Sequence, residues 1–419
     1  MHPPSTNDLS TPGAALAAPA VSAGHSWAAV ASVAVGTFAL VTSEFLPVGL
    51  LPAVAADLHV TEGTAGLMIT LPGLVAAIAA PAVTVAAGRL DRRLLLWAMT
   101  VLLIGSNLLA TFSHDFMPLL IGRLLLGVAI GGFWATATSL AVRLVPAHQV
   151  GRAASIIFAG VSLGTVVGVP VGALIGDLLG WRAAFAVAGA LSVAVLAAQL
   201  VLLPSLSPMR VIGMRDLPAL LRNPDARIGL LLVVFFAGGH FMAYTFMAPF
   251  LQQVAGVSVA QMTLLLLAYG VAGFVGNLAG GAVAGRSVRL AAGSTALLMA
   301  GAILLLPLMG RGLGGVAALL MLWGFAFGAM PVSLQMWMFK SAPAALEGGS
   351  ALFVAAFQIA IAAGAGLGGL AVDALGVSSA MWGGGAWVAL ALVTVCLMGR
   401  NPGEKPTQAV AGTAQCPAA

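Results

Sequence analysis

Apolar runs broken by short clusters of charge, proline or glycine recur from residue 28 to residue 399. Each is close to the ~20 residues a helix needs to cross about 30 Å of hydrocarbon. The pattern predicts spans at 28–54, 63–87, 94–113, 117–142, 151–176, 181–203, 228–252, 262–285, 290–309, 313–339, 348–372 and 380–399. The runs are continuous and do not alternate with period two, which excludes the strands of a membrane barrel. An all-α integral membrane protein of twelve transmembrane helices is expected, with a 1–26 disordered cytoplasmic tail, a 27–203 six-helix bundle, a 204–227 cytoplasmic linker, a 228–400 six-helix bundle and a 401–419 cytoplasmic tail.

Composition supports that reading. Of 419 residues 61% are hydrophobic and 7% charged, against roughly 25% charged in soluble domains. Such a chain cannot cover a water-facing surface. Residues 1–26 hold no Lys or Arg and so lack the charged start of a signal peptide. Cys396 and Cys416 supply neither a disulfide framework nor metal-ligand spacing.

The net charge of +5 alone would suggest an acidic partner such as nucleic acid, but its placement favours the bilayer. Alternate connections carry Arg89, Arg92 and Arg93, Arg143 and Arg152, Arg210, Arg215, Arg222 and Arg227, Arg286 and Arg289, and Lys340, with Arg400 and Lys405 after the last span. The opposite connections carry Asp57, Glu62, Asp115, Asp177 and Asp373, with Arg182 and Arg311 at their edges. Positive charge stays cytoplasmic, so both termini and the central loop are expected there.

The two halves repeat at an offset of 197 residues. Gly127, Ala129 and Gly131 fall on Gly324, Ala326 and Gly328. Arg143, Pro146 and Gly151 fall on Lys340, Pro343 and Gly348, and Pro52 falls on Pro249. Two parallel repeats about an axis along the membrane normal imply a solute site between them near the midplane, opened to each side by rocking.

Several segments resemble the major facilitator superfamily and, within it, twelve-helix drug:proton antiporters. Ser43-Glu44-Phe45-Leu46-Pro47-Val48-Gly49-Leu50-Leu51-Pro52 is similar to the first span of bacterial sugar (arabinose-like), purine-nucleoside and chloramphenicol efflux permeases, as is Gly239-His240 through Pro249-Phe250-Leu251. Gly88-Arg89-Leu90-Asp91-Arg92-Arg93 resembles a shortened cytoplasmic gating motif, which implies a gate at Asp91 and Arg92. Arg123-Leu-Leu-Leu-Gly127 resembles the fourth-span motif. Gly168-Val169-Pro170-Val171-Gly172 resembles the fifth-span antiporter signature with one residue inserted before the proline.

Glu44 is the carboxylate placed inside a span. Such acids are costly in hydrocarbon and by default mark a relay or a substrate site, the other reading being an acid in a fixed pair near the outer surface. Arg123, in span four, either pairs with Glu44 and modulates its proton affinity or snorkels to the headgroups. His240 falls on Ser43 by the repeat, at the depth of Glu44. It is either a solute-binding or proton-carrying group or an interhelical hydrogen bond. Tyr244, Asn107, Asn277, Gln335 and Gln358 are the remaining in-span hydrogen-bonding candidates, some for the substrate cavity and some for helix contacts. Gly160, Gly164, Gly168, Gly172 and Gly176, four apart, predict a bare face for close packing beside Pro170. Arg89 and Arg93 read as solvated loop charges.

Gly364-x-Gly366-x-x-Gly369 matches a dinucleotide fingerprint but lies in an apolar span with no strand before it. The two lysines follow no glycine-rich loop, which argues against ATP use by this chain. No enzyme activity, cofactor, metal or nucleic-acid partner is expected. The resemblance implies a secondary active transporter, expected as a monomer because six plus six spans suffice, whose partners are a small-molecule substrate, protons and the lipid bilayer of a bacterial inner membrane. The implied activity is proton-coupled efflux of a sugar, nucleoside or drug. An uncoupled facilitator or importer and a membrane enzyme or receptor are the rival readings.

Overall fold

The computed structural model describes residues 23–87, 90–146, 149–205, 222–309, 312–341 and 346–398. Residues 1–22, the 401–419 tail, most of the linker, Arg89, Arg210, Arg215, Arg311, Arg400 and Lys405 lie outside them. All regular structure among the described residues is helical, and twelve spans are long and apolar enough to cross a membrane.

The first half comprises α1 (Ala23–Asp57), α2 (Glu62–Ala65), α3 (Leu67–Ala87), α4 (Arg92–Phe112), α5 (Phe116–Leu144), α6 (Val150–Leu163), a π turn (Gly164–Gly168), α7 (Val169–Leu179) and α8 (Trp181–Leu202). The second comprises α9 (Pro224–Tyr244), α10 (Met247–Gln253), α11 (Val259–Arg286), α12 (Val288–Met309), α13 (Leu313–Ser341), α14 (Leu346–Leu375) and α15 (Ser378–Met398). Large apolar side chains point outward, with Val201 75% and Leu397 82% exposed, while Glu44, Asn107, Arg123, His240 and Gln358 are buried. That inversion suits a hydrocarbon solvent, where polar groups must find partners inside.

Packing repeats between the halves. The contacts α3·α5, α4·α5, α4·α8 and α1·α8 recur as α11·α13, α12·α13, α12·α15 and α9·α15. The 197-residue offset extends to single atoms. A Cβ on Gly127 would strike the Pro72 carbonyl and one on Gly324 the Tyr269 carbonyl; Gly131 and Gly328 stand in the same relation to Ala76 and Gly273. Each pair is separated by 197 positions, so the glycines make one close helix crossing twice. Positive-φ glycines, Gly180 at 88° and Gly376 at 86°, make the sharp turns into α8 and α15.

There are three departures from the sequence expectation, and the second and third have local causes. Helix α1 begins at Ala23, inside the stretch assigned to the tail. The span expected at 228–252 breaks after Tyr244 and resumes as α10 at Met247. Pro249 cannot donate to the carbonyl of Thr245 and its ring crowds that carbonyl, while the Thr245 hydroxyl donates to the Phe241 carbonyl at 2.6 Å. The fifth span contains the π turn Gly164–Gly168 directly before Val169-Pro170, where the signature carries its inserted residue. A π turn is how a helix accommodates one extra residue.

The halves meet where α3 lies against α14 and where the π turn and α7 lie on α11. Gly73 admits α14, since a Cβ there would sit 3.0 Å from the Gln358 carbonyl and 3.1 Å from Ala362 Cβ. At the end carrying the acidic connections the halves are also tied by polar bonds. Asp373 accepts from the Thr61 hydroxyl at 2.8 Å and from the Gly63 amide at 3.0 Å, and Glu62 accepts from the Gln253 amide at 2.6 Å.

Candidate functional site

Pro47 lies inside the continuous helix α1 and has no N–H for the carbonyl of Ser43, four residues back. That freed carbonyl accepts a hydrogen bond from Arg123 Nη1 on α5 at 2.8 Å. The Ser43 hydroxyl accepts from Asn107 Nδ2 on α4 at 3.0 Å. Three helices are therefore pinned at one point of α1, directly beside Glu44.

Arg123 is 1% exposed, so it does not snorkel to a headgroup layer. Its guanidinium lies over the Phe185 ring of α8 at 5.0 Å. Nε and Nη2 have no hydrogen-bond partner among the described residues, and neither does Asn107 Oδ1. Glu44 is 5% exposed. The polar groups acting on its carboxyl group are the Gln358 side chain of α14 and the charge of Arg123. The arginine is thus held by a backbone carbonyl, not closed onto the acid in an ion pair. Glu44, belonging to one half, is met by an amide from the other.

In the second half His240 is fully buried. Trp323 Nε1 of α13 donates to its Nδ1 at 3.0 Å. The imidazole stacks on Phe327 with centroids 4.1 Å apart and planes 8° apart, and on Tyr244 at 5.0 Å and 20°. Tyr244 stacks in turn on Tyr269 of α11 at 5.5 Å. Trp323 and Phe241 stand nearly perpendicular to His240, at 76° and 88°. Phe241 then stacks on Phe45 of α1 at 5.4 Å, which bridges the halves beside Glu44. Trp323, Tyr269 and Phe327 are not among the candidates the sequence singles out. Tyr269 carries a signal, being one of only two tyrosines in the chain. The phenylalanines do not differ from core residues until packing places them.

The remaining candidates sit elsewhere. Gln335 is half-buried on α13, twelve residues and so about 18 Å along the axis from Trp323. Asn277 is half-buried on α11, about 12 Å beyond Tyr269 by the same rise. Asp91 caps α4 by accepting from the Arg93 amide at 2.8 Å, and accepts from the Ser205 hydroxyl at 2.6 Å. Arg92 opens that helix half-buried. Arg93 is not a freely solvated charge: its guanidinium lies 4.8 Å over Trp97 and donates to the Leu203 carbonyl at 3.4 Å.

The glycine stripe lies along α1. Cβ atoms at Gly164, Gly168, Gly172 and Gly176 would run into Val41, Thr42, Leu46 and Leu50 in turn. On a regular helix, positions four apart drift about 40° per step and leave a single face. The wider π turn takes back part of that drift, so the stripe follows α1 past Glu44. Pro170 is buried just after this turn.

Residues 33–351 match the model of the Major Facilitator Superfamily. The chain is 37% identical over 380 residues to a protein of Pseudomonas aeruginosa named transcription regulatory protein OpdE, covering 90% of this chain and 94% of that one. It is 36% identical over 377 residues to the purine ribonucleoside efflux pump NepI of Salmonella paratyphi C, covering 90% and 95%. Among solved structures, a bacterial homologue of the human lysosomal transporter Spinster, in an inward-facing and unoccupied conformation, superposes with a TM-score of 0.71. The superposition covers 90% of this chain and 96% of that one at 17% identity, a likeness of fold. With its twelve spans, its repeated halves and this match across most of its length, the chain belongs to the Major Facilitator Superfamily of membrane transporters.

Proposed function

We propose that this transporter exports a nucleoside-like solute from the cytoplasm in exchange for protons, by alternating access between its halves. The observation that carries the reading is Glu44, a buried acid at the junction of the halves, with Gln358 of the other half acting on it and Arg123 anchored beside it. An acid so placed can hold a proton in one conformation and release it in another. When Glu44 is ionised, the unpartnered Nε and Nη2 of Arg123 are the donors available to it or to a solute oxygen. Aromatic rings on the second half suit a planar base, and polar groups on the first suit a sugar. The similarity to a nucleoside efflux pump favours that class over a free sugar or an amphenicol drug.

In this reading the basic connections and both termini face the cytoplasm of a bacterial inner membrane. The acidic end, latched by Asp373 and Glu62, is then the closed outer gate. Asp91 and Arg92 belong to the inner gate. One proton entering down a membrane potential contributes about 2.3 kcal/mol per 100 mV, enough to drive appreciable accumulation outside.

The test uses proteoliposomes loaded with labelled adenosine under an imposed pH gradient, with wild type and Glu44→Gln. Gradient-driven transport in wild type, and only gradient-insensitive exchange in the variant, is the expected result. Equal transport by both, indifferent to the gradient, would leave an uncoupled facilitator of the same fold.

A further inference from the structure

We propose that His240 is the base-reading residue of this transporter, a fixed neutral donor that selects planar heterocycles bearing a ring-nitrogen acceptor. The proposal rests on the nucleoside reading above and adds the atom that discriminates.

The tryptophan indole nitrogen can only donate. Its 3.0 Å bond to His240 Nδ1 therefore requires an unprotonated Nδ1. An imidazolium would set one N–H against another, so the bond excludes the charged form while it is made. The neutral ring then carries its hydrogen on Nε2. That atom is buried and has no hydrogen-bond partner among the described residues, and the Tyr269 hydroxyl is in the same condition. Residues of three helices face the imidazole, namely Phe241 and Tyr244 from α9, Tyr269 from α11 through Tyr244, and Trp323 and Phe327 from α13. None of them is a carboxylate or a cation.

A buried donor without an acceptor forfeits its hydration with no return, and native structures rarely keep one without a role. Here the donor is held rigidly. Phe327 and Tyr244 fix the plane of the ring, and Trp323 fixes its tautomer. The surrounding rings, near-parallel from His240 through Tyr244 to Tyr269, recognise aromatic faces of any sequence of atoms. Selection among such rings then falls to the edge that meets Nε2–H. A planar heterocycle with an in-plane nitrogen lone pair satisfies it, and the same ring with CH at that position leaves the donor stranded. Proton coupling and base recognition are thereby divided between halves, the first at Glu44 and the second at His240.

The experiment measures equilibrium binding of adenosine, and of deaza analogues that each replace one ring nitrogen by CH, to the purified protein. Wild type is expected to bind adenosine about tenfold more tightly than one of the analogues, the factor of one lost hydrogen bond. His240→Gln, which keeps an N–H donor, should retain a reduced preference. His240→Phe should bind adenosine and that analogue alike. Trp323→Phe, which leaves His240 in place but frees its tautomer, should also narrow the difference. Equal affinities across the series in wild type, or a preference that survives His240→Phe, would overturn the assignment. Failure of wild type to bind any nucleoside would sink the substrate class itself, and this inference with it.

Discussion

Replacing Asp373 by alanine removes both acceptors through which α14 holds the other half at the acidic end. The Gly63 amide at 3.0 Å loses its acceptor, and the Thr61 hydroxyl at 2.8 Å keeps only its bond to the Thr64 hydroxyl within the same half. Bonds to a charged acceptor contribute about 1.5–3 kcal/mol when buried. The Thr61 bond is exposed and the Gly63 bond part-buried, so about 0.5–1 kcal/mol each is the appropriate scale. A total of about 1–2 kcal/mol shifts a two-state equilibrium by roughly 5- to 30-fold. The variant should therefore populate a form with this end open. Spin labels at His59→Cys and Leu375→Cys, two exposed positions flanking the latch, report the separation once Cys396 and Cys416 are replaced by serine. A longer-distance population that grows in Asp373→Ala is the expected result. Gly63→Ala tests the same seal by wedging, because a Cβ there would strike the Gly369 carbonyl and the Asp373 carboxylate. Distance distributions unchanged in both variants would refute the view that these contacts hold the end shut.

Two further variants separate large effects from small ones. Gly324→Val puts a side chain into the Tyr269 backbone, where no flexible group can yield, and overpacking of this kind costs about 1–3 kcal/mol. A lowered Tm in detergent and weakened nucleoside binding are expected together, since α11 and α13 carry Tyr269 and Trp323; a wild-type Tm would show that the crossing relaxes freely. Arg182→Ala breaks the 2.7 Å pair with Asp57, but both side chains are substantially exposed, so stability should change by no more than about 1 kcal/mol and less in high salt. A larger loss in thermal melts would mean that the Arg182 bond to the Ser113 carbonyl, at 2.9 Å, matters more than the ion pair.

Part of the candidate site was legible in the chain and part was not. Glu44 stands out because an acid among apolar residues is costly wherever it lies. Arg123 stands out for its charge, but the sequence left open whether it pairs with Glu44 or reaches a headgroup. The structure gives a third outcome, the proline-freed carbonyl. His240 was open between solute group, proton carrier and packing. Its indole donor decides the tautomer, and that donor lies 83 positions away on another helix. Gln335 and Gln358 look alike as in-span amides, yet only Gln358 reaches Glu44, because Gly73 lets α14 approach α3 at that level.

The twelve spans, the segregation of charge between alternate connections and the 197-residue repeat can all be read from the chain without its fold. These follow from transfer free energies that each residue carries into hydrocarbon or water whatever its neighbours do. Which face of each helix turns inward, and hence which polar groups meet, emerges from the packing of the helices. Helix rotation is set by glycine crossings and by the π turn between Gly164 and Gly168, and a few tens of degrees move a side chain from one partner to another. Hydrogen bonds act over about 3 Å, so the pairings at Ser43, Glu44 and His240 come into being only when several helices have docked together.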